Sequence, residues 1–410
     1  MKKYLKKILV FIYHIMAKVL PLNMNKVMFM SNMGRNYSGN PRAIFETMRK
    51  DKRFKAHKKI WAFNGDYFDM VKKYGESLLP KGCKVVRYGG LKYYFNMATS
   101  GIWIFDTRQE PYLVKRKGAI YFMTWHGTPL KKLGLDMLQL NMAGENRDLK
   151  AYADSFTEES AKWDFLIVQN DFSESVSAGA FGFKNKVLKI GAPRTDRLVR
   201  ESLKRGADNG DIKSTAAEGE NRKKVLLYAP TWRDDEYLGD GFYKVSPRPD
   251  FEKLEKALGD EYTIIVKLHY LVRIKKGDIP ESCLKSGFVT ICGNETDINE
   301  LYLKADGVIT DYSSVMFDYS VLERPMFFFC YDLENYRDNL RGFYLDFEKM
   351  APGPISLNEE ELIRDIRECF SGKNTECMDK IRAFKKEYNK YDDGHAGKRV
   401  LDAIAENLRL

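Results

Sequence analysis

A histidine standing where an apolar run breaks into a glycine turn has little packing to do, and His126 in Trp125-His126-Gly127-Thr128-Pro129 is placed that way. Imidazole is the side chain best suited to take a proton from a hydroxyl near neutral pH, so the position offers a general base. The plainer alternative is a ring held by turn hydrogen bonds. A second histidine, His269, ends Ile264-Ile265-Val266-Lys267-Leu268-His269. Strand alternation puts Lys267 and His269 on one face, where an ammonium and an imidazole suit a phosphate. A buried, hydrogen-bonded histidine is the alternative there.

Further phosphate-binding candidates stand at similar breaks. Arg194, in Gly191-Ala192-Pro193-Arg194-Thr195-Asp196, presents a guanidinium fork after a glycine–proline turn. It suits a phosphate, or it pairs with Asp196 to tie down the turn. Thr231, Trp232 and Arg233 follow Tyr228-Ala229-Pro230 and offer a hydroxyl, a stacking face and a charge, which suit a nucleotide. In Ile309-Thr310-Asp311-Tyr312-Ser313-Ser314-Val315-Met316-Phe317-Asp318 an apolar strand runs out at Asp311 and the serine pair opens a helix. Helix N-termini present unpaired N–H groups to phosphate oxygens. Asp318, four residues past Ser314, lies on the same face one turn deeper, where a carboxylate takes ribose or glycerol hydroxyls. An ordinary serine cap, worth about 1 kcal/mol, is the competing reading. No Gly-x-Gly-x-x-Gly follows the first strand, and no Walker-type Gly-Lys-Ser/Thr or Asp-x-Asp occurs. NAD enzymes, P-loop enzymes and a metal-bridged diphosphate on such a motif are disfavoured.

These side chains need elements that bring them to common edges. Apolar runs recur at 27–31, 59–63, 84–88, 101–106, 119–125, 164–168 and 186–190, with helical stretches at 41–50, 91–99 and 173–180 between them. A second series lies at 224–228, 262–268, 289–292, 307–310 and 326–331, and helices at 359–370, 377–388 and 396–408 close the chain. Strand–helix alternation with strands apolar on both faces predicts parallel sheets covered by helices. Residues 206–223 are small, polar and charged, as in a linker or loop. The expected division is an amphipathic helix at 1–24, an acceptor domain at 25–205, the linker at 206–223 and a donor domain at 224–410. Ligands then lie beyond the carboxyl ends of the strands, in a cleft.

A chain of 410 residues exceeds one ordinary core, in keeping with two domains. The net charge of +11 favours anionic partners. The lysines are spread over many segments without an aromatic–basic signature, so nucleic acid is not expected. Cys83, Cys283, Cys292, Cys330, Cys369 and Cys377 form no Cys-x-x-Cys pair and read as reduced packing residues of a cytosolic protein, with no structural metal. At the N-terminus Lys2, Lys3, Lys6 and Lys7 precede an apolar stretch at 8–20, short of the ~20 residues that cross a bilayer. Leu5, Ile8, Leu9, Ile12, Ile15, Met16, Val19 and Leu20 share one helical arc, and Pro21 stops the helix. This is the pattern of a helix lying on an anionic leaflet, or of one docked on the protein's own core.

Taken in order, Trp125 to Lys131, Gly191 to Asp196, Tyr228 to Arg233, Lys267-Leu268-His269 and Thr310 to Asp318 resemble the CDP-glycerol glycerophosphotransferase family of wall teichoic acid synthesis. The resemblance runs from about residue 28 into the C-terminal helices, and its first and last motifs are the most specific. It implies a GT-B-like α/β fold, with two Rossmann-like domains whose parallel sheets face across a cleft. It also implies transfer of glycerol phosphate from CDP-glycerol to an undecaprenyl-diphosphate-linked saccharide or a poly(glycerol phosphate) acceptor, releasing CMP. No cofactor and no metal are expected, and the enzyme is expected to sit peripherally on the cytoplasmic face of the bacterial cell membrane. By analogy His126 is the general base on the acceptor hydroxyl, and His269 is the second catalytic candidate. Trp125, Gly127, Thr128, Pro129, Arg194, Thr231, Trp232, Lys267, Leu268, Ser313, Ser314 and Asp318 would hold the CDP-glycerol. Polymerising members often carry extra domains, whereas this chain has a short basic leader, so primer addition and polymerisation both stay open. A CDP-ribitol donor is equally compatible with the motifs. The rivals are a GT-B sugar-nucleotide glycosyltransferase and a non-catalytic membrane-surface binding protein.

Overall fold

Seven parallel strands make the first sheet: β1 (Asn23–Met30), β2 (Lys58–Phe63), β3 (Lys84–Arg87), β4 (Ser100–Phe105), β5 (Ile120–Met123), β6 (Phe165–Val168) and β7 (Lys186–Lys189), in the order β3-β2-β1-β4-β5-β6-β7. Helices cover both faces, which is why the central strands are apolar on both sides. On one face Phe29, Trp61, Ile102, Ile104 and Phe122 form a core with residues of the helices Gly39–Lys50 and Ala396–Leu408. The second sheet contains β8 (Lys224–Tyr228). A small antiparallel ribbon of β9 (Tyr237–Gly239) and β10 (Phe242–Tyr243) follows. Then come β11 (Tyr262–Val266), β12 (Val289–Ile291), β13 (Gly307–Thr310), β14 (Met326–Phe329) and β15 (Ile355–Ser356), in the all-parallel order β12-β11-β8-β13-β14-β15. Each apolar run expected to be a strand is one; β9, β10 and β15, at two or three residues, are too short to leave a period.

The computed structural model describes residues 2–75, 78–79, 82–140, 148–208, 222–233, 235–239, 242–244, 249–269, 271–272, 274–337 and 342–409. Its two compact units divide elsewhere than composition suggested. The first unit holds 1–126, 153–196 and 391–410, and the second holds 127–152 and 197–390. The last helix belongs to the first unit, because Val400, Leu401, Ile404 and Ala405 complete that unit's core. Asp196 fixes it there by accepting the N–H groups of Ala396 (2.9 Å) and Gly397 (2.8 Å). Most of the expected linker, residues 209–221, lies outside the described residues.

The N-terminal helix Lys2–Val19 packs on the helix Leu91–Thr99. Tyr13 is fully buried, its hydroxyl donating to the Val114 carbonyl (3.0 Å) and accepting the Val114 N–H (2.9 Å). The opposite face leaves Tyr4, Leu5, Ile8, Phe11, Ile15 and Val19 exposed. The helix is therefore docked and still presents an apolar stripe, of which Tyr4 and Phe11 are part while Leu9, Ile12, Met16 and Leu20 are half-buried. No helix among the described residues is long and apolar enough to cross a membrane. One expectation about cysteines is corrected. Cys369, at the end of the helix Glu359–Phe370, is disulfide-bonded to Cys377, at the start of Glu376–Tyr388, because the turn between these helices brings their Cα atoms to 6.2 Å.

Candidate active site

In the first unit His126 lies three residues beyond the end of β5. The residue before it, Trp125, has φ +47°, a left-handed conformation costly for a non-glycine residue. Asn40 holds that turn from below, its side-chain amide donating to the carbonyls of Thr124 (2.8 Å) and Trp125 (3.0 Å). His126 Nδ1 is 3.0 Å from the Asp106 main-chain carbonyl. A carbonyl only accepts, so Nδ1 carries the hydrogen and Nε2 is left with its lone pair. The ring keeps a solvent-exposed edge while its other side is crowded, with the Trp125 ring centroid at 4.4 Å. That burial and the Arg194 charge both hold the imidazole pKa below its ordinary value, outweighing the opposing hydrogen bond to Asp106. His126 therefore favours its neutral form, with the lone pair on Nε2.

Asp196 is engaged with the last helix, and Arg194 reaches groups on other segments. Its N–H donates to Asn40 Oδ1 (3.0 Å), and its guanidinium donates to Gln169 Oε1 (3.0 Å). Asp392 braces the surrounding turn by accepting from Ala192 N (2.7 Å), Thr195 Oγ1 (3.0 Å) and Gln169 Nε2 (2.8 Å). Asp106 also works through its side chain: one carboxyl oxygen accepts the Asn32 N–H at 2.8 Å, and burial pushes the carboxyl up to about 7. Asn40, Asp106, Gln169 and Asp392 were not singled out from sequence. Asp106 and Gln169 directly follow the apolar runs of β4 and β6, the same strand-end signal that marked His126.

In the second unit Gly127 packs against the serine loop. A Cβ on Gly127 would stand 2.6 Å from Ser314 Oγ, so a larger residue there would push the Ser314 side chain aside. Thr128 and Pro129 are buried beside it, and Leu130 enters the second core. Lys131 donates to the Tyr336 hydroxyl at 3.0 Å. Ser313 Oγ accepts the Val315 N–H at 3.3 Å, whereas Ser314 Oγ makes no capping hydrogen bond. The helix they open is the short Val315–Tyr319, and Asp318 is buried within it.

Beyond β8 the main-chain N–H of buried Thr231 donates to both carboxyl oxygens of Asp311, at 2.9 and 3.1 Å. Arg233 is structural rather than available to a ligand: its guanidinium is buried between Asp311 (2.8 Å) and Asp332 (2.7 Å). Half-buried Trp232 packs at a tilt against Tyr243 with centroids 4.2 Å apart, and the His269 ring follows at 5.9 Å. β11 ends at Val266, so Lys267 and His269 lie past the strand, although Leu268 between them is still buried. The Lys267 ammonium turns to the Gly293 carbonyl, and burial holds its pKa below the usual lysine range. His269 Nδ1 accepts the Leu271 N–H at 3.3 Å, so in its neutral form the hydrogen sits on Nε2. The two histidines are therefore opposite tautomers: His126 offers a lone pair at Nε2, and His269 offers a donor there.

Comparison with known proteins finds relatives along nearly the whole chain. Residues 12–406 match the family model for CDP-glycerol:poly(glycerophosphate) glycerophosphotransferases. The chain is 37% identical over 385 residues to a teichoic acid glycerol-phosphate transferase of Staphylococcus aureus (strain NCTC 8325 / PS 47), covering 93% of each. It is 37% identical over 407 residues to a teichoic acid poly(glycerol phosphate) polymerase of Bacillus spizizenii (strain ATCC 23059 / NRRL B-14472 / W23), covering 97% of each. It spans only 45% of a longer poly(glycerol phosphate) polymerase of Bacillus subtilis (strain 168). Length alone therefore does not set polymerases apart from other members. Ribitol-phosphate primases and polymerases match at 29% identity. Among solved structures, the wall teichoic acid polymerase TagF superposes with a TM-score of 0.82 at 32% identity, over 98% of this chain and 94% of that one; a variant of it has been solved after soaking with CDPG. The fold is α/β and GT-B-like, as expected. The chain belongs to the CDP-glycerol:poly(glycerophosphate) glycerophosphotransferase family.

Proposed function

We propose that the chain transfers glycerol phosphate from CDP-glycerol to a hydroxyl of a lipid-linked saccharide or of poly(glycerol phosphate), in the synthesis of a teichoic acid or related envelope polymer. The observation that carries this reading is the His126 ring, its Nδ1–H engaged by the Asp106 carbonyl and its Nε2 left with its lone pair. Nε2 takes the proton of the acceptor hydroxyl as that oxygen attacks the glycerol-bearing phosphorus. The bond from this phosphorus to the bridging oxygen breaks, and CMP leaves with the electron pair. Phosphoryl transfer of this kind asks mainly for positioning and charge stabilisation. His269, donating from Nε2, is assigned to the charge developing on the phosphate oxygens. Ser313, Ser314, Thr231, Lys267 and Leu268 are assigned to the diphosphate, Trp232 to the cytosine ring and Asp318 to hydroxyls of the donor. Trp125 and Arg194 set the environment of His126, and the Gly127-Thr128-Pro129 turn lies against the serine loop. The glycerol-phosphate transferase and polymerases, at 34–39% identity against 29% for the ribitol-phosphate relatives, support glycerol as the polyol.

The reading requires no cofactor and no metal, and it places the enzyme peripherally on an anionic membrane surface at the cytoplasmic face, through the exposed stripe of the N-terminal helix. Incubation with radiolabelled CDP-glycerol and a lipid-linked acceptor should transfer label with one CMP released per transfer, and a chelator should leave the rate unchanged. Absence of CMP release, or transfer from a sugar nucleotide instead, would defeat the assignment. Loss of turnover in chelator with recovery on added magnesium would defeat its metal-free form.

A further inference from the structure

Tyrosines gather where β3 and β4 of the first unit run out, and their hydrogen bonding is incomplete. The Tyr94 and Tyr112 hydroxyls lie 3.1 Å apart, and the Tyr88 hydroxyl donates to Glu110 Oε1 at 3.4 Å. Tyr93 lies among them, its ring centroid 4.9 Å from that of Tyr88 and 5.2 Å from that of Tyr94. Its hydroxyl is buried and has no hydrogen-bond partner, although buried polar groups nearly always find one. Tyr88, Glu110 and Tyr112 are each half-buried, so each keeps part of its surface accessible, while Tyr93 is fully buried. Lys6 of the N-terminal helix stands 3.5 Å from Glu110 and 5.2 Å from the centre of the Tyr112 ring.

The placement matters because one loop serves both this cluster and the proposed base. Asp106, whose carbonyl holds His126 Nδ1, is four residues before Glu110. A chain spans at most about 3.5 Å per residue, so the Cα atoms of Asp106 and Glu110 are within about 14 Å, roughly the length of a disaccharide with its attached polyol. Aromatic faces beside a carboxylate and phenolic hydroxyls suit the C–H face and the hydroxyl rim of a sugar ring. They suit a phosphodiester chain poorly, since Glu110 would repel it and Lys6 is already engaged by that carboxylate.

We propose that Tyr88, Glu110 and Tyr112 seat a pyranose ring of the saccharide acceptor, with the buried Tyr93 ring packed behind them. This deepens the acceptor half of the function proposed above and rests on it. The test uses the full chain with Glu110→Gln and Tyr88→Phe, each first shown to melt at the wild-type temperature. Tyr88→Phe keeps the ring and removes only a hydroxyl, so it remains informative should Glu110→Gln fold poorly. Two soluble acceptors are compared at saturating CDP-glycerol: a short-chain lipid diphosphate carrying a disaccharide, and a glycerol phosphate oligomer without sugar. KM for the disaccharide acceptor should rise about tenfold, while KM for CDP-glycerol and for the oligomer stays at the wild-type value. An unchanged KM for the disaccharide acceptor, a rise confined to the oligomer, or a wild-type enzyme that uses only the oligomer would each overturn this assignment. Failure of the wild type to release CMP with either acceptor would instead overturn the proposed function.

Discussion

At the scale of single residues, the chemistry turns on which nitrogen of an imidazole holds its hydrogen and how readily the other takes one. In the proposed mechanism His126 takes a proton only when neutral, so kcat/KM should fall as pH drops through its pKa. Burial and the Arg194 charge hold that pKa down, which puts the acid limb below about pH 6.5. Arg194→Gln removes the second influence, and the limb should move to higher pH while the rate at pH 8 is largely kept. A limb that stays in place would mean that another group titrates. Asp106 has the opposite linkage. Its folded pKa of about 7 lies above the ordinary carboxylate value, so the stability it contributes is full below about pH 4 and is lost as pH rises through 7. Asp106→Asn should therefore raise the melting temperature relative to wild type at pH 8.5 but not at pH 4. Gly127→Ala places a methyl 2.6 Å from Ser314 Oγ and should weaken CDP-glycerol binding by about tenfold, measured by calorimetry, with the fold intact. His126 and Arg194 were legible in sequence because each follows an apolar run. Asn40 was not, since its work is to brace a turn some 85 residues away in the chain. The direction of Lys267 was not legible either, because alternation stops where β11 stops.

At the scale of elements, a buried charge network ties three strand ends together. Asp311 after β13 takes the Thr231 N–H and the Arg233 guanidinium that follow β8, and Arg233 reaches on to Asp332 after β14. Removing one partner of such a network leaves the others buried without compensation. Arg233→Ala should thus lower the unfolding free energy by about 3–5 kcal/mol in urea titration, much more than an exposed ion pair would. A loss under ~1 kcal/mol would show that water replaces the guanidinium. Arg233 read as a nucleotide-binding charge from its motif. Nothing in the local pattern reveals that two carboxylates from later strands converge on it. The strands themselves were legible because burial on both faces writes an uninterrupted apolar run.

At the scale of the whole molecule, the alternation of strands and helices announced two parallel sheets, but the exchange of segments between units was not legible. A contiguous division follows composition, whereas residues 127–152 and 391–410 go where their apolar faces find a core. The N-terminal helix shows the same limit: one arc was visible, but burial of Tyr13 selects the docked face and leaves Leu5, Ile8, Phe11, Ile15 and Val19 outward. Phe11→Glu with Ile15→Glu should weaken binding to anionic vesicles at least tenfold in a flotation assay while turnover of a soluble acceptor is unchanged. Equal flotation of the variant would place membrane contact elsewhere. The central claim is that His126 takes the acceptor proton, and the most direct measurement is the rate of CMP release by His126→Ala at saturating CDP-glycerol and acceptor. The expected result is a fall of about 10²-fold or more with the dissociation constant for CDP-glycerol unchanged. A variant that releases CMP near the wild-type rate would contradict the account, as would one whose loss is explained entirely by failure to bind the donor.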